Sequence, residues 1–268
     1  MLFSRKRRTS EIGDDKLPFA VAVTRRKINS TMDPLRKFLL LIDHFDSLIR
    51  TSVIFIGAAA LNGGDLANFF QSQQLDERPS LGHWVQALRE LQSHAPAFRY
   101  AALPNDLFDR INRVLAKAEQ ANIVKLRNER RGHSYLGLRD AEYRDEYDAY
   151  GPIVNDIETL LKPVLTRLSC YHVINNERLN ESEFQVTGKS IMGSYPDFFN
   201  FKFVYKPINL QDIPYSNRCY LYIRNDEKWI SLHPYLQFTT CPECDHARVL
   251  IADGNCYIDP YVGHRVTI

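Results

Sequence analysis

The chain has 268 residues, of which 44% are apolar, 25% charged and 12% aromatic, ordinary globular proportions with room for one large domain or two modest ones. Mean hydropathy is −0.33 and no apolar run reaches the roughly 18–20 residues of a membrane helix, which argues against a membrane protein. The formal net charge of +2 excludes a strongly basic nucleic-acid coat, so any contact with nucleic acid must come from a local patch.

Residues 1–33 read as a basic lead-in. Arg5, Lys6, Arg7, Arg8, Lys16, Arg25, Arg26 and Lys27 face only Glu11, Asp14, Asp15 and Asp33. A solvated tail is the plain reading, with a phosphate-touching arm or a linker as the alternative. The opening MLFSRKRR lacks the apolar stretch of an export signal, which predicts a cytoplasmic location. The five cysteines are then expected to be reduced thiols or metal ligands rather than disulfides.

From Asp33 the period becomes helical. Asp33 can cap and Pro34 suits the first helical position. Leu35, Phe38, Leu39, Ile42, Phe45, Ile49, Val53 and Ile56 then recur at three- and four-residue steps, as one apolar face requires. Asn62-Gly63-Gly64 ends this helix, and a short one is expected around Leu66–Gln71. Pro79-Ser80 opens another, carrying Leu81, Trp84, Val85, Leu88 and Leu91. A long helix starts at Asn105 or Asp106 and runs through Ile111, Val114, Ile123 and Leu126 to about Gly132. A further helix begins near Leu138, with a kink or restart expected at Gly151-Pro152. Around Asn175–Asn180 the period changes to two. Phe184 and Val186 alternate, as do Phe201, Phe203 and Tyr205, and Tyr220 with Tyr222. The expected class is α+β: a lead-in at 1–33, a helical bundle at 34–174 and a β-rich module at 180–268.

The chemistry concentrates in Lys125-Leu126-Arg127-Asn128-Glu129-Arg130-Arg131-Gly132-His133. From 125 to 139 there are five basic side chains, at 125, 127, 130, 131 and 139, and one acid, Glu129. Gly132 can terminate the helix and let the His133 imidazole fold back toward the Arg127 guanidinium. The acids Asp140, Glu142, Asp145, Glu146 and Asp148 follow with a single base, Arg144, and read as a solvated helix face. An antitoxin-like or autoinhibitory contact is the sharper alternative.

The Arg127–His133 segment resembles the HEPN superfamily. Its ribonucleases carry an Arg, then four to six residues, then a His, at the end of a helix in a four- or five-helix bundle. A polar residue, often Asn, directly follows the Arg, as Asn128 does here. The resemblance covers about residues 34–170. The spacing alone is unspecific, since Arg78–His83, Arg89–His94 and Arg167–His172 also satisfy it. Only Arg127–His133 has the Asn, the basic neighbours, the preceding Gly and a long apolar-faced helix leading in.

The resemblance implies a metal-independent endoribonuclease of a bacterial defence (antiviral) or toxin–antitoxin type system. RNA supplies the 2′-OH nucleophile and leaves a 2′,3′-cyclic phosphate. Histidine titrates near neutrality and can act as base or acid, while arginine grips phosphate oxygens bidentately. Arg127 and His133 would be catalytic, with Asn128 supporting. Lys125, Arg130 and Arg131 would bind the RNA backbone. The resemblance also implies a homodimer that brings two motifs together, and leaves room for a partner or antitoxin protein. The alternatives are a non-catalytic dimerisation or sensing module, and a zinc-knuckle binding protein.

Cys241-Pro-Glu-Cys244 is half of a zinc site, because this turn lets two thiolates reach one tetrahedral ion. Cys256 and His264 are the expected completing ligands, with His246 and Cys219 as other candidates. A metal-free turn with reduced thiols is the competing reading. A bound zinc would be structural, and none is required for catalysis. The alternating aromatics of the module read as sheet core, with base stacking as the alternative.

Overall fold

The computed structural model describes residues 16–61, 64–77, 79–93, 103–132, 139–207, 212–223 and 228–267. Helices come first and strands after, an α+β architecture. The fold is organised around helix α2 (Pro34–Leu61). Asp33 starts it, its carboxylate accepting the Arg36 amide at 2.6 Å. A single apolar stripe describes only the first half. From Leu48 to Leu61 every residue is buried, because α2 is surrounded rather than laid on a surface.

Part of that surrounding is helix α1 (Phe19–Ser30), which falls in the segment expected to be a basic lead-in. Leu17, Phe19, Ala20, Val21, Ala22, Val23 and Ile28 are buried, so 17–28 is neither a tail nor an arm. Its cations are used internally. Arg25 pairs with Glu158, Arg26 donates to the Ser194 carbonyl at 3.2 Å, and Lys27 donates to the Pro260 carbonyl at 3.0 Å. Residues 1–15 lie outside the described residues.

Helices α3 (Gly64–Ser72) and α4 (Leu81–Glu90) match the expected elements. The long helix expected from 107 to 132 is two: α5 (Leu107–Gln120) and α6 (Ile123–Gly132). Asn122 between them has φ of 50°, a conformation that Asn tolerates and that re-aims the chain. Helix α7 (Asp140–Leu165) continues through the Gly151-Pro152 step, so of the expected kink or restart the restart does not occur. Pro152 and Asp148 are exposed, so water can satisfy the carbonyl that loses its helical partner.

The strands start earlier than the alternation indicates. Strand β1 (Ser169–Arg178) takes up Cys170–Val173, which were assigned to the bundle. It is the centre of an antiparallel sheet ordered β3-β2-β1-β4-β5, with β2 (Phe184–Ser190), β3 (Asn200–Tyr205), β4 (Arg218–Ile223) and β5 (Lys228–Ser231). Its two faces differ. Cys170, Cys219, Leu221, Ile223 and Ile230 join the core formed with the helices. Tyr171, Val173, Tyr205, Tyr220 and Trp229 build an aromatic cluster on the other face, with Phe201, Phe203 and Tyr222 half-buried against it. The expected sheet-core role of these aromatics holds for this cluster.

A second antiparallel sheet, ordered β6-β7-β8-β9, comprises β6 (Leu236–Thr240), β7 (Ala247–Asp253), β8 (Cys256–Ile258) and β9 (Arg265–Val266). Leu236, Val249 and Ile251 enter the same core as the helices, so helices and strands share one interior. The contact is tight at Gly254, where φ is +72° and an added Cβ would lie 1.8 Å from the Glu77 carbonyl oxygen. That carbonyl already accepts the Asn255 amide at 2.9 Å. Gly254→Ala is therefore expected to cost more than about 2 kcal/mol, from left-handed strain plus displacement of the 76–77 segment. Urea denaturation would measure the loss.

Candidate functional site

Helix α6 carries Arg127 and Asn128 of the motif. Leu126 fixes its position by packing with Phe38 and Ile42 of α2 and Tyr143 of α7. The next residue, Arg127, is half-buried, and its Nη1 donates to the Asn128 side-chain oxygen at 3.3 Å. Among the described residues no carboxylate pairs with Arg127, which leaves its charge available for a phosphate. Asn128 is exposed. Lys125 is exposed and has Glu129 at 3.7 Å, a loose pair that water screens. Asn128, Lys125 and Glu129 line a cleft of about 580 Å³, closed by Val85 of α4, Ala118 and Glu119 of α5, and Asn122.

The backbone of α6 reaches Gly132, and His133 lies outside the described residues. Arg130 and Arg131 lie within α6. The acidic segment opens α7. Glu142 accepts the Arg139 amide at 2.6 Å, and Asp140, Asp145 and Asp148 are exposed.

Of the other matches to the spacing, Arg78 and His94 lie outside the described residues. His83 accepts the Ser80 amide through Nδ1 at 2.9 Å, capping α4. Arg89 pairs with Glu119. His172 is buried in β1, and burial lowers its pKa.

The knuckle lies on the second sheet. Cys241, Cys244 and His264 bring their ligand atoms within 4.8 Å of one another. Cys241 is fully buried, and its Sγ is 3.6 Å from His264 Nδ1. Burial disfavours the Cys241 thiolate, but the His264 contact and the backbone amides of Glu243 and Cys244 outweigh it, and the pKa is lowered. Cys256, expected as a ligand, is not in this group. Its thiol is turned to the Asp253 carbonyl at 3.3 Å by the tight β7–β8 turn. His246 points its Nδ1 at the Cys244 carbonyl. Cys219 is buried between the first sheet and the helices.

A further constellation has no local sequence signature. The Thr24 hydroxyl is 2.9 Å from His44 Nδ1, and His44 Nε2 is 2.8 Å from Glu158, which also pairs with Arg25. The order hydroxyl, imidazole, carboxylate resembles a nucleophilic triad. Thr24, His44 and Glu158 are 3%, 2% and 2% exposed, however, so no substrate reaches the hydroxyl. It is a buried polar strut joining α1, α2 and α7.

No family model, no curated protein and no solved structure matches this chain. No described helix is long and apolar enough to cross a membrane.

Proposed function

We propose that this protein is a metal-independent endoribonuclease in which Arg127, Asn128 and His133 form the catalytic group. The reading rests on the resemblance of this segment to HEPN ribonucleases. The observation that carries it furthest is the adjacency of Arg127 and Asn128 on α6, whose described residues reach Gly132, next in sequence to His133. Arg127 has no carboxylate partner among the described residues, and Asn128 lines an open cleft.

Catalysis needs three things of these residues. The guanidinium binds the non-bridging phosphate oxygens and stabilises the phosphorane. The imidazole moves the proton from the 2′-OH or to the departing 5′-oxygen. Asn128 orients one of the two by hydrogen bonding. One imidazole cannot readily be base and acid in a single step, so two copies of the chain are proposed to face each other across their motifs. Such an enzyme suits a bacterial defence or toxin–antitoxin system, working on RNA in the cytoplasm.

The test is incubation with total RNA in EDTA, with the fold checked by circular dichroism. Cleavage leaving 2′,3′-cyclic phosphate ends is expected from the wild type. Arg127→Ala and His133→Ala are expected to slow it by about 100-fold or more. Undiminished cleavage by His133→Ala would overturn the assignment.

A further inference from the structure

The C-terminal sheet carries a second site, independent of the helical one. Its ligands come from two turns that face each other. The first closes the β6–β7 hairpin: the Cys241 amide donates to the His246 carbonyl at 2.9 Å, and the Cys241 carbonyl accepts the Asp245 amide at 2.9 Å. Asp245 takes the left-handed conformation, φ 54°, that completes the knuckle. The second turn joins β8 to β9. The Asp259 amide donates to the His264 carbonyl at 2.9 Å, and the Asp259 carboxylate accepts the Tyr261 amide at 2.7 Å. Each turn is closed by its own hydrogen bonds, so His264 is presented to the knuckle by a backbone already held in place.

The spacing is that of metal ligands. In a tetrahedral zinc site, with Zn–S about 2.3 Å and Zn–N about 2.0–2.1 Å, a sulfur and a nitrogen ligand stand about 3.6 Å apart. Cys241 Sγ and His264 Nδ1 are separated by 3.6 Å, and Cys244 lies in the same group. Two thiolates and an imidazole favour zinc over the harder cations, which prefer oxygen ligands. Beneath them, Leu250 and Val266 form a small cluster with Cys241, to which Tyr257 and Cys244 add half-buried surface. The two-residue strand β9 is otherwise held by its pairing with β8, the buried Val266 and the Arg265–Asp253 ion pair.

We infer that Cys241, Cys244 and His264 bind one zinc ion, with solvent in the fourth position. Cys256 and His246 are not ligands, since both are engaged with backbone carbonyls. Binding deprotonates the two thiols and releases their protons to solvent, with no change of oxidation state. The ion clamps the β6–β7 turn to the β8–β9 turn, and the fourth position remains open to a small anionic or sulfur ligand.

The test uses the full chain, purified without chelator. Elemental analysis is expected to find about one zinc per chain. Cys244→Ser and His264→Ala are expected to lose at least nine-tenths of it, while Cys256→Ser and His246→Ala keep it. Circular dichroism of each variant separates loss of a ligand from loss of the fold. Cobalt(II) added to the metal-depleted wild type is expected to give tetrahedral d–d bands with a thiolate charge-transfer band, and cyanide is expected to shift the d–d bands. A wild type that holds neither zinc nor cobalt would overturn the site. Loss of zinc on Cys256→Ser or His246→Ala in a folded protein, or cobalt bands indifferent to cyanide, would overturn the three-ligand assignment.

Discussion

Arg50→Met is expected to destabilise the protein by about 3–5 kcal/mol, as breaking a buried ion pair from one side does. Arg50 is 3% exposed. Its Nε donates to Asp46 at 2.9 Å and its Nη1 to Asp253, and its guanidinium lies 5.1 Å from the Trp84 ring. Burial opposes the charge, but the two aspartates more than compensate and hold the guanidinium's pKa above its ordinary value. Methionine keeps the apolar stem and removes the charge. Asp253, buried at the end of β7, would then keep, among the described residues, only Arg265 as a charged partner, whose side chain is 63% exposed. Adding Asp253→Asn should recover part of the loss, because the buried Asp253 carboxylate is neutralised and only the more exposed Asp46 has lost a charged partner. Urea denaturation measures both. A single-variant loss below about 1 kcal/mol would mean that this pair does not hold α2 to the second sheet.

The second large effect is expected at Glu158. Glu158→Ala removes the acceptor of the buried His44 Nε2 and opens a cavity between α2 and α7, with an expected loss of about 2–4 kcal/mol. The same residue gives the acid limb of stability. Burial pushes its pKa up, but the His44 and Arg25 contacts outweigh burial and hold it below the ordinary 4.5. A carboxylate with a depressed folded-state pKa stabilises fully above its unfolded value. That contribution is lost as pH falls through the folded value. Stability should therefore begin to fall below about pH 4.5, and Glu158→Gln should flatten this limb. Thermal unfolding from pH 3 to 6 would show it, and equal acid limbs in the two proteins would refute it.

Periodicity and caps were enough for α2 and α4, where Asp33-Pro34 and Ser80 act within a few residues. Helix α1 was hidden because Arg25, Arg26 and Lys27 read as solvent-facing charge. Their partners, Glu158, Ser194 and Pro260, are far away in the chain. The start of β1 was hidden for a related reason. Cys170–Val173 are buried on both faces of a sheet, so they show no alternation. The CxxC turn was legible because its two cysteines are neighbours in the chain, and the structure places His264 beside them. Cys256 was not separable by spacing, since a turn at Gly254 decides where its thiol points. The Thr24–His44–Glu158 strut was illegible because only the finished bundle brings those residues together.

The docking of α1 has a consequence for how the chain is made. Phe19 rests 4.9 Å from the Phe198 ring and 6.4 Å from that of Tyr261, its amide donates to the Ile191 carbonyl, and Lys27 reaches Pro260. Helix α1 thus finds part of its cover in residues 191–261, far from it in sequence. During translation that apolar surface leaves the ribosome long before its partners exist. The helix must wait, covered meanwhile by α2, until residues as far as Tyr261 have been synthesised. Closure of the core around α1 is therefore a late event in the making of residues 16–261.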